Sequence, residues 1–321
     1  MLKTIGIITT GGDAPGMNAA IRGVTRIAYS KGIKVLGFER GWEGLLTNTF
    51  QKLTPRSVGG IVHLGGTILH TARCPEFKTA ESQQKAADNL ASNNVDGLVV
   101  IGGNGSMHGA LDLSKKTDAV MVGIPASIDN DIYGTDETIG FDTAVNTAVF
   151  VIDKIRDTAI SHERIFVVEV MGRERGFLAV NVGISVGAEV ILVPEQDCPF
   201  EKMLAVIQEN TRKGKRAGII VAAEGIGDTA ILTKQLQKKT DAEVRLSIVG
   251  YAQRGGSPTA RSRLLASLFA QKAVDLLFEG RKNCTVSLQN NTLGCVNLSE
   301  ACCKKKAFDP KMIELANMLS I

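Results

Sequence analysis

The sequence predicts an α/β protein, a doubly wound parallel sheet present twice. Three observations carry that expectation. Short apolar and β-branched runs alternate with stretches of helical periodicity over nearly the whole chain. Glycine-rich turns stand between several of those runs and the helices that follow. The 321 residues, 44% hydrophobic and 22% charged, supply enough apolar material for two α/β domains or one large one, and exclude a disordered chain.

Residues 5–10 form a β-branched run and read as a buried strand. A glycine turn, Gly11-Gly12-Asp13-Ala14-Pro15-Gly16, follows, and Ala19, Ala20, Val24, Ile27 and Ala28 then recur at helical spacing. Residues 34–38 read as the second strand. Residues 41–94 are loop-rich until a polar helix at about 79–92. Strands are expected at 95–101 and 119–125, the first running through Gly102-Gly103-Asn104-Gly105-Ser106 into a helix. A long helix at 141–159 turns Ala144, Ala148, Val151, Ile152 and Ile155 inward. The alternation then restarts, with strands at 164–170, 188–193, 217–223 and 244–251 and helices at about 175–186, 200–213, 229–239 and 259–279. From about 280 the chain reads as polar and weakly patterned until a short helix after Asp309.

Composition narrows the function. Net charge is +4, with no basic run longer than Lys304-Lys305-Lys306, and aromatics are 5%, so a nucleic-acid interface is not expected and anionic small molecules fit better. The six cysteines show no C-x-x-C spacing, and none of the four histidines completes a ligand pattern with them. Reduced thiols in the cytoplasm are expected rather than a zinc site. No apolar run reaches 18 residues, so no membrane span is expected.

Three glycine-rich loops, at 11–16, 65–66 and 102–105, are each expected to follow a strand and to meet at one sheet edge, a pattern suited to cradling phosphate with backbone N–H groups. The P-loop pattern is absent, and so is G-x-G-x-x-G. A nicotinamide oxidoreductase survives only through Glu39, placed just after the second strand. Arg73 comes after the Gly65-Gly66 pair, Arg173 follows Gly172 and Arg254 precedes Gly255-Gly256, the setting for forked phosphate contacts. The stretch Ser127-Ile128-Asp129-Asn130-Asp131 ends the 119–125 run. If extended, it puts Asp129 and Asp131 on one side of one pocket, where a metal or a proton must separate them. The alternative is a solvated Asx turn capping the next helix.

Several long motifs occur in one order: Gly11-Gly12-Asp13-Ala14-Pro15-Gly16-Met17-Asn18, Gly65-Gly66-Thr67 with Ala72-Arg73, Ile128-Asp129-Asn130-Asp131, Gly140-Phe141-Asp142-Thr143-Ala144, Met171-Gly172-Arg173 and Gln253-Arg254-Gly255-Gly256-Ser257-Pro258. In these the chain strongly resembles the bacterial 6-phosphofructokinases, from residue 1 to about 280. The resemblance implies two Rossmann-like domains with the chain crossing between them: an ATP-binding domain at 1–140 and 253–303, and a fructose 6-phosphate domain at 141–252 and 304–321. It further implies a homotetramer and Mg²⁺. Under it, Asp129 is the general base for the sugar's 1-hydroxyl, Ser127 touches the transferring phosphoryl group, Arg173 steadies its charge, and Asp131 and Asn104 face the metal. Gly12, Arg73, Cys74, Gly103, Asn104, Gly105 and Ser106 match the ATP site. Met171, Gly172, Arg173, Glu224, Tyr251 and Arg254 match the sugar-phosphate site, with Arg164 and Arg245 reaching in from a neighbouring subunit.

Arg22 and Arg26, four apart on one helix face, with Arg156, Glu189, Lys213, Lys215 and Arg216, match the family's effector pocket for ADP or phosphoenolpyruvate. Read alone, 213–216 is a helix C-terminal charge cluster. Pyrophosphate-dependent relatives carry aspartate at the position of Gly105 and lysine at that of Ala126, so the resemblance favours ATP as donor. Asn104 stands where the family has aspartate, and weaker Mg²⁺ binding is expected. Tyr251 replaces a histidine at the sugar phosphate, and Pro55-Arg56 replaces a basic-aromatic pair in the effector loop. These departures leave open a catalytically weak regulatory paralogue that binds the same ligands.

Overall fold

A computed structural model describes residues 2–320. The chain forms two compact units, Met1–Thr143 with Arg254–Lys306, and Ala144–Gln253 with Ala307–Ile321. The larger unit begins β1 (Thr4–Thr10), α1 (Met17–Ser30), β2 (Lys34–Phe38), α2 (Trp42–Thr47), β3 (Phe50–Leu53), α3 (Ala80–Ser92), β4 (Gly97–Gly102), α4 (Asn104–Leu113), β5 (Val120–Ser127) and β6 (Ile139–Gly140). Helix α5 (Phe141–His162) starts there and continues in the smaller unit. That unit holds β7 (Ile165–Val170), α6 (Phe177–Ser185), β8 (Val190–Leu192), α7 (Phe200–Arg212), β9 (Gly218–Ala223), α8 (Thr229–Gln237) and β10 (Val244–Ile248). The larger unit resumes with α9 (Ala260–Phe278), β11 (Cys284–Gln289), β12 (Thr292–Asn297) and α10 (Leu298–Cys303), and α11 (Lys311–Leu319) returns to the smaller.

The larger sheet runs β12-β11-β5-β4-β1-β2-β3, with β6 beside β5. Strands β1 and β4 are buried at every position, which is why they read as unbroken apolar runs rather than alternations. One face is covered by α1 and α9, which pack so closely that a Cβ on Gly23 would stand 2.6 Å from the Ala270 Cβ. A second apolar cluster gathers Phe38, Trp42, Phe77, Leu90 and Met107, with the Trp42 and Phe77 rings stacked at 4.3 Å. The smaller sheet, β10-β7-β9-β8, is parallel throughout, and Val167, Ile220, Met203 and Leu236 lie in its core.

The α/β class and the two doubly wound units match expectation. The larger sheet is mixed, because both its edges are antiparallel: β3 against β2 and β12 against β11. The stretch after 280 is not unpatterned. Cys284–Gln289 and Thr292–Asn297 form a hairpin through Asn290 (φ 49°) and Asn291 (φ 60°), the pair of positive φ values that a type I′ turn requires. Residues 41–53 hold α2 and β3, which the loop-rich reading passed over, and the strand expected over 244–251 stops at Ile248, before a 3₁₀ turn at Gly250–Arg254. All six cysteines are free thiols.

Replacing Gly23 by valine is expected to lower unfolding free energy by about 1–3 kcal/mol through overpacking, read from urea denaturation. Adding Ala270→Gly in the same chain should restore part of the loss.

Candidate active site

The strand order sets the place. Strand β1 has β2 on one side and β4 on the other, so the chain turns opposite ways from it. At such a switch point the loops leaving the carboxyl ends part and open a crevice. Register puts Thr10, Gly102 and Pro125 side by side at the carboxyl ends of β1, β4 and β5. The loops at 11–16 and 127–131 and the start of α4 therefore leave from one edge.

Helix α4 starts at Asn104, and no side chain caps it. The Ser106 N–H donates to the Gly103 carbonyl at 3.0 Å, which leaves the leading N–H groups of Asn104 and Gly105 for an anion. The Ser106 hydroxyl, 2% exposed, donates to the Thr10 carbonyl at 2.9 Å and ties α4 to the end of β1. A Cβ on Gly105 would meet nothing within 4 Å, so open space lies beside that residue.

The Gly65-Gly66 loop does not follow a strand, as the sequence suggested. It lies inside the long segment between β3 and α3 and reaches the site through side chains. The Asn18 amide donates to the carbonyls of Leu64 and Gly65, and its oxygen accepts from the Ile68 N–H. Thr9 Oγ1 donates to the His70 carbonyl, and Thr71 Oγ1 to the Gly11 carbonyl, both at 2.8 Å. Arg73, two residues on, is exposed. Cys74 packs against the Trp42–Phe77 cluster, and burial pushes its thiol above the ordinary range.

The acidic loop is not extended. Asn130 takes φ 53°, a left-handed conformation that bends the backbone between the two aspartates. Asn130 is the structural member: its amide donates to the Asp136 carbonyl at 3.0 Å, and its oxygen accepts from Thr138 Oγ1. Asp129 is 6% exposed, and its N–H donates to Ser127 Oγ at 3.2 Å. Asp131 is half-buried, and one carboxylate oxygen accepts from Asn104 Nδ2 at 2.7 Å. An aspartate at 104 would set two carboxylates at hydrogen-bonding distance, so asparagine removes a repulsion. No group of three His, Cys, Asp or Glu residues able to hold a metal occurs among the described residues. One carboxylate and one amide still fit Mg²⁺, which keeps most of its waters and binds through one or two protein oxygens together with substrate phosphates.

Arg254 lies in the larger unit, on the glycine turn. Its Nη2 would stand 2.1 Å from a Cβ on Gly12, and it pairs with Asp13 at 3.3 Å. Asp13 had no role assigned from the sequence.

The carboxyl ends of β7 and β9 are adjacent in the smaller unit, Val170 opposite Ala223. Just beyond them, Glu224 Oε1 accepts the N–H groups of Gly172 (3.2 Å) and Arg173 (2.6 Å). Arg173 sits at φ 53° with its side chain exposed. The Met171 N–H donates to Gln253 Oε1 at 2.9 Å, and Gln253 is fully buried. Gln253 therefore orients the loop, a role that its place beside Arg254 in the motif hinted at and the sequence reading passed over. Tyr251 is 77% exposed.

Arg164 and Arg245 do not join this group. They lie at the amino end of the same sheet, about 20 Å away by the rise of six residues. The other expected basic residues are dispersed. Lys215 pairs at 2.6 Å with Glu189, which is 5% exposed; Arg216 pairs with Glu163; Lys213 sits 3.9 Å from Glu209; and Arg156 donates to the Val186 carbonyl. Arg26 points to the Pro55 carbonyl at 3.5 Å from the outer side of α1, where Arg22 is half-buried.

A profile described as Phosphofructokinase matches residues 4–277. The chain belongs to the phosphofructokinase family. Over 320 residues it is 48% identical to the ATP-dependent 6-phosphofructokinases of Halalkalibacterium halodurans and Clostridioides difficile, covering the whole of each. Among solved structures, phosphofructokinase from Saccharomyces cerevisiae superposes with a TM-score of 0.88 at 34% identity, over 99% of this chain and 48% of the yeast chain. A pyrophosphate-dependent phosphofructokinase from Marinobacter aquaeolei shares the fold at TM-score 0.86 and 21% identity. Membership of this family removes the nicotinamide oxidoreductase reading.

Two outcomes test the geometry. Asn104→Asp should lower the melting temperature without metal and tighten Mg²⁺ activation, read by thermal melts with and without Mg²⁺-nucleotide and by the Mg²⁺ dependence of turnover. Gly12→Ala should displace Arg254 from its pairing with Asp13; if Arg254 binds the sugar phosphate, as the resemblance implies, the KM for that substrate rises several-fold in steady-state kinetics, roughly the cost of one charge-assisted hydrogen bond.

Proposed function

We propose that this chain is an ATP-dependent 6-phosphofructokinase, transferring the γ-phosphoryl group of ATP to the 1-hydroxyl of fructose 6-phosphate to give fructose 1,6-bisphosphate and ADP, a glycolytic step. The observation that carries the reading is the buried Asp129, held in the loop off β5 beside the uncapped start of α4 at the switch point.

Asp129 takes the proton of the 1-hydroxyl as that oxygen forms its bond to the γ-phosphorus. The bond from the γ-phosphorus to the β,γ-bridging oxygen breaks, and ADP leaves. Asp129 then returns its proton to water. Little covalent work falls to the protein, and the rate comes from positioning and charge neutralisation. Gly12, Arg73, Cys74 and the start of α4, from Gly103 through Ser106, line the ATP side. Ser127 donates to the transferring group, and Arg173 carries positive charge to it. Mg²⁺, held by Asp131 and Asn104 together with ATP, supplies neutralisation of the phosphate charge when bound. Met171, Gly172, Glu224, Tyr251 and Arg254 bind the sugar phosphate. The Glu224 carboxylate serves twice in this reading, fixing the 171–173 loop and accepting from a sugar hydroxyl.

The position of Arg164 and Arg245 at the far end of the smaller sheet supports a sugar-phosphate site completed by a second copy, and hence the homotetramer. Arg22, Arg26, Arg156, Glu189, Lys213, Lys215 and Arg216 form the effector site for ADP or phosphoenolpyruvate under the same reading. No described helix is long and apolar enough to cross a membrane, and six free thiols suit the reducing cytoplasm.

The test is ADP release from purified protein with ATP, Mg²⁺ and fructose 6-phosphate. Asp129→Ser should cost about 10²–10⁴-fold in kcat, the usual span for general-base removal, while nucleotide binding persists. Absence of Asp129-dependent turnover would sink the kinase reading, and binding without turnover in the unsubstituted chain would point to the regulatory paralogue that Asn104 and Tyr251 keep in view.

A further inference from the structure

The amino ends of β7 and β10 carry a cluster that the sequence reading saw only in part. The two strands are parallel neighbours, with Val244 opposite Ile165 and Arg245 opposite Phe166. That register sets Glu243 opposite Arg164, and the Ile165 N–H donates to the Glu243 carbonyl at 3.0 Å. One carboxylate oxygen of Glu243 accepts from Arg164 Nε at 2.5 Å, and the other pairs with the Arg245 guanidinium. One carboxylate thus bridges two arginines. We propose that Glu243 is a positioning residue that assembles Arg164 and Arg245 into a single receptor for the sugar phosphate. The inference rests on the reading of those two arginines as substrate-phosphate residues given above.

Two guanidinium groups that must converge on one phosphate repel each other until it arrives. A carboxylate between them cancels half of their charge and leaves a net +1 facing a dianion. The choice of atoms matters as much as the charge. Glu243 engages Arg164 through Nε, so both terminal nitrogens of that fork keep their donors for phosphate oxygens. Arg164 has a side chain only 24% exposed, so its carbon stem is held by packing while Glu243 fixes the head. Arg245 is 57% exposed and has less packing to order it. Binding then meets two arginines already in place, and their ordering is not charged against the substrate. The hydrogen bond from Arg164 holds the Glu243 carboxyl below the usual carboxylate range, so the bridge is ionised at neutral pH.

The measurement is steady-state kinetics on the full-length protein with fructose 6-phosphate varied. Glu243→Gln should raise the KM for fructose 6-phosphate about two- to fivefold, the effect of one exposed ion pair, with kcat and the KM for ATP unchanged. Glu243→Asp should recover part of the loss, and in an Arg164→Ala background Glu243→Gln should add nothing. A KM that stays level or falls in Glu243→Gln overturns the proposal, since a fall means the carboxylate competes with phosphate. If Arg164→Ala itself leaves the KM unchanged, the substrate reading of the arginines fails, a separate result. Thermal melting of each variant shows that the compared proteins are folded.

Discussion

The position of β1 between β2 and β4 is the constraint on which the larger unit depends. It opens the crevice at the carboxyl edge, and no side chain has to be invoked for that. Strands β1 and β4 are buried at every position, so packing holds their ends in place. The loops at 11–16 and 127–131 and the start of α4 inherit that rigidity. A phosphoryl-transfer site needs it, since its catalysis is mostly placement.

Charge within the crevice is distributed sparingly. Asp129 is buried, Asp131 is satisfied by an amide, and the Arg254–Asp13 pair lies over the glycine turn. The Asn104–Asp131 hydrogen bond decides how the site stands before any nucleotide arrives. With aspartate at 104 the loop would rely on a cation to hold it together. With asparagine the same two side chains attract, so the resting geometry is kept by the protein. The negative charge offered to a metal is correspondingly smaller.

Much of the fold was legible because parallel strands buried on both faces give unambiguous apolar runs; 34–38 and the 217–223 region are examples. The hairpin after 280 was missed because Cys, Thr and Ser alternate along it and dilute its hydrophobic signal. Its turn, Asn290-Asn291, was a usable cue. Candidate site residues next to glycine turns were legible for a physical reason: close backbone approach leaves a compositional mark. Asp13, Gln253 and Glu243 were not, because each acts on another protein group, Arg254, the Met171 N–H, or Arg164 and Arg245, and no periodicity encodes such a partner. The extended reading of residues 129–131 failed on one dihedral, that of Asn130, a residue type that tolerates φ > 0.

The hairpin bears on how the protein is made. Strand β5, which carries the acidic loop, has β11 for its outer neighbour, and α1 packs on α9, so both wait for partners more than 150 residues later in the chain. Most of the smaller unit is one unbroken stretch, Ala144–Gln253. On a ribosome, its four strands can pair while the open edge of β5 is still without a partner. The larger unit, which starts first, is therefore completed only after residues 144–253 of the smaller have been made, and α11 of the smaller comes last of all. During that interval the apolar edge beside the acidic loop is the segment most in need of a chaperone.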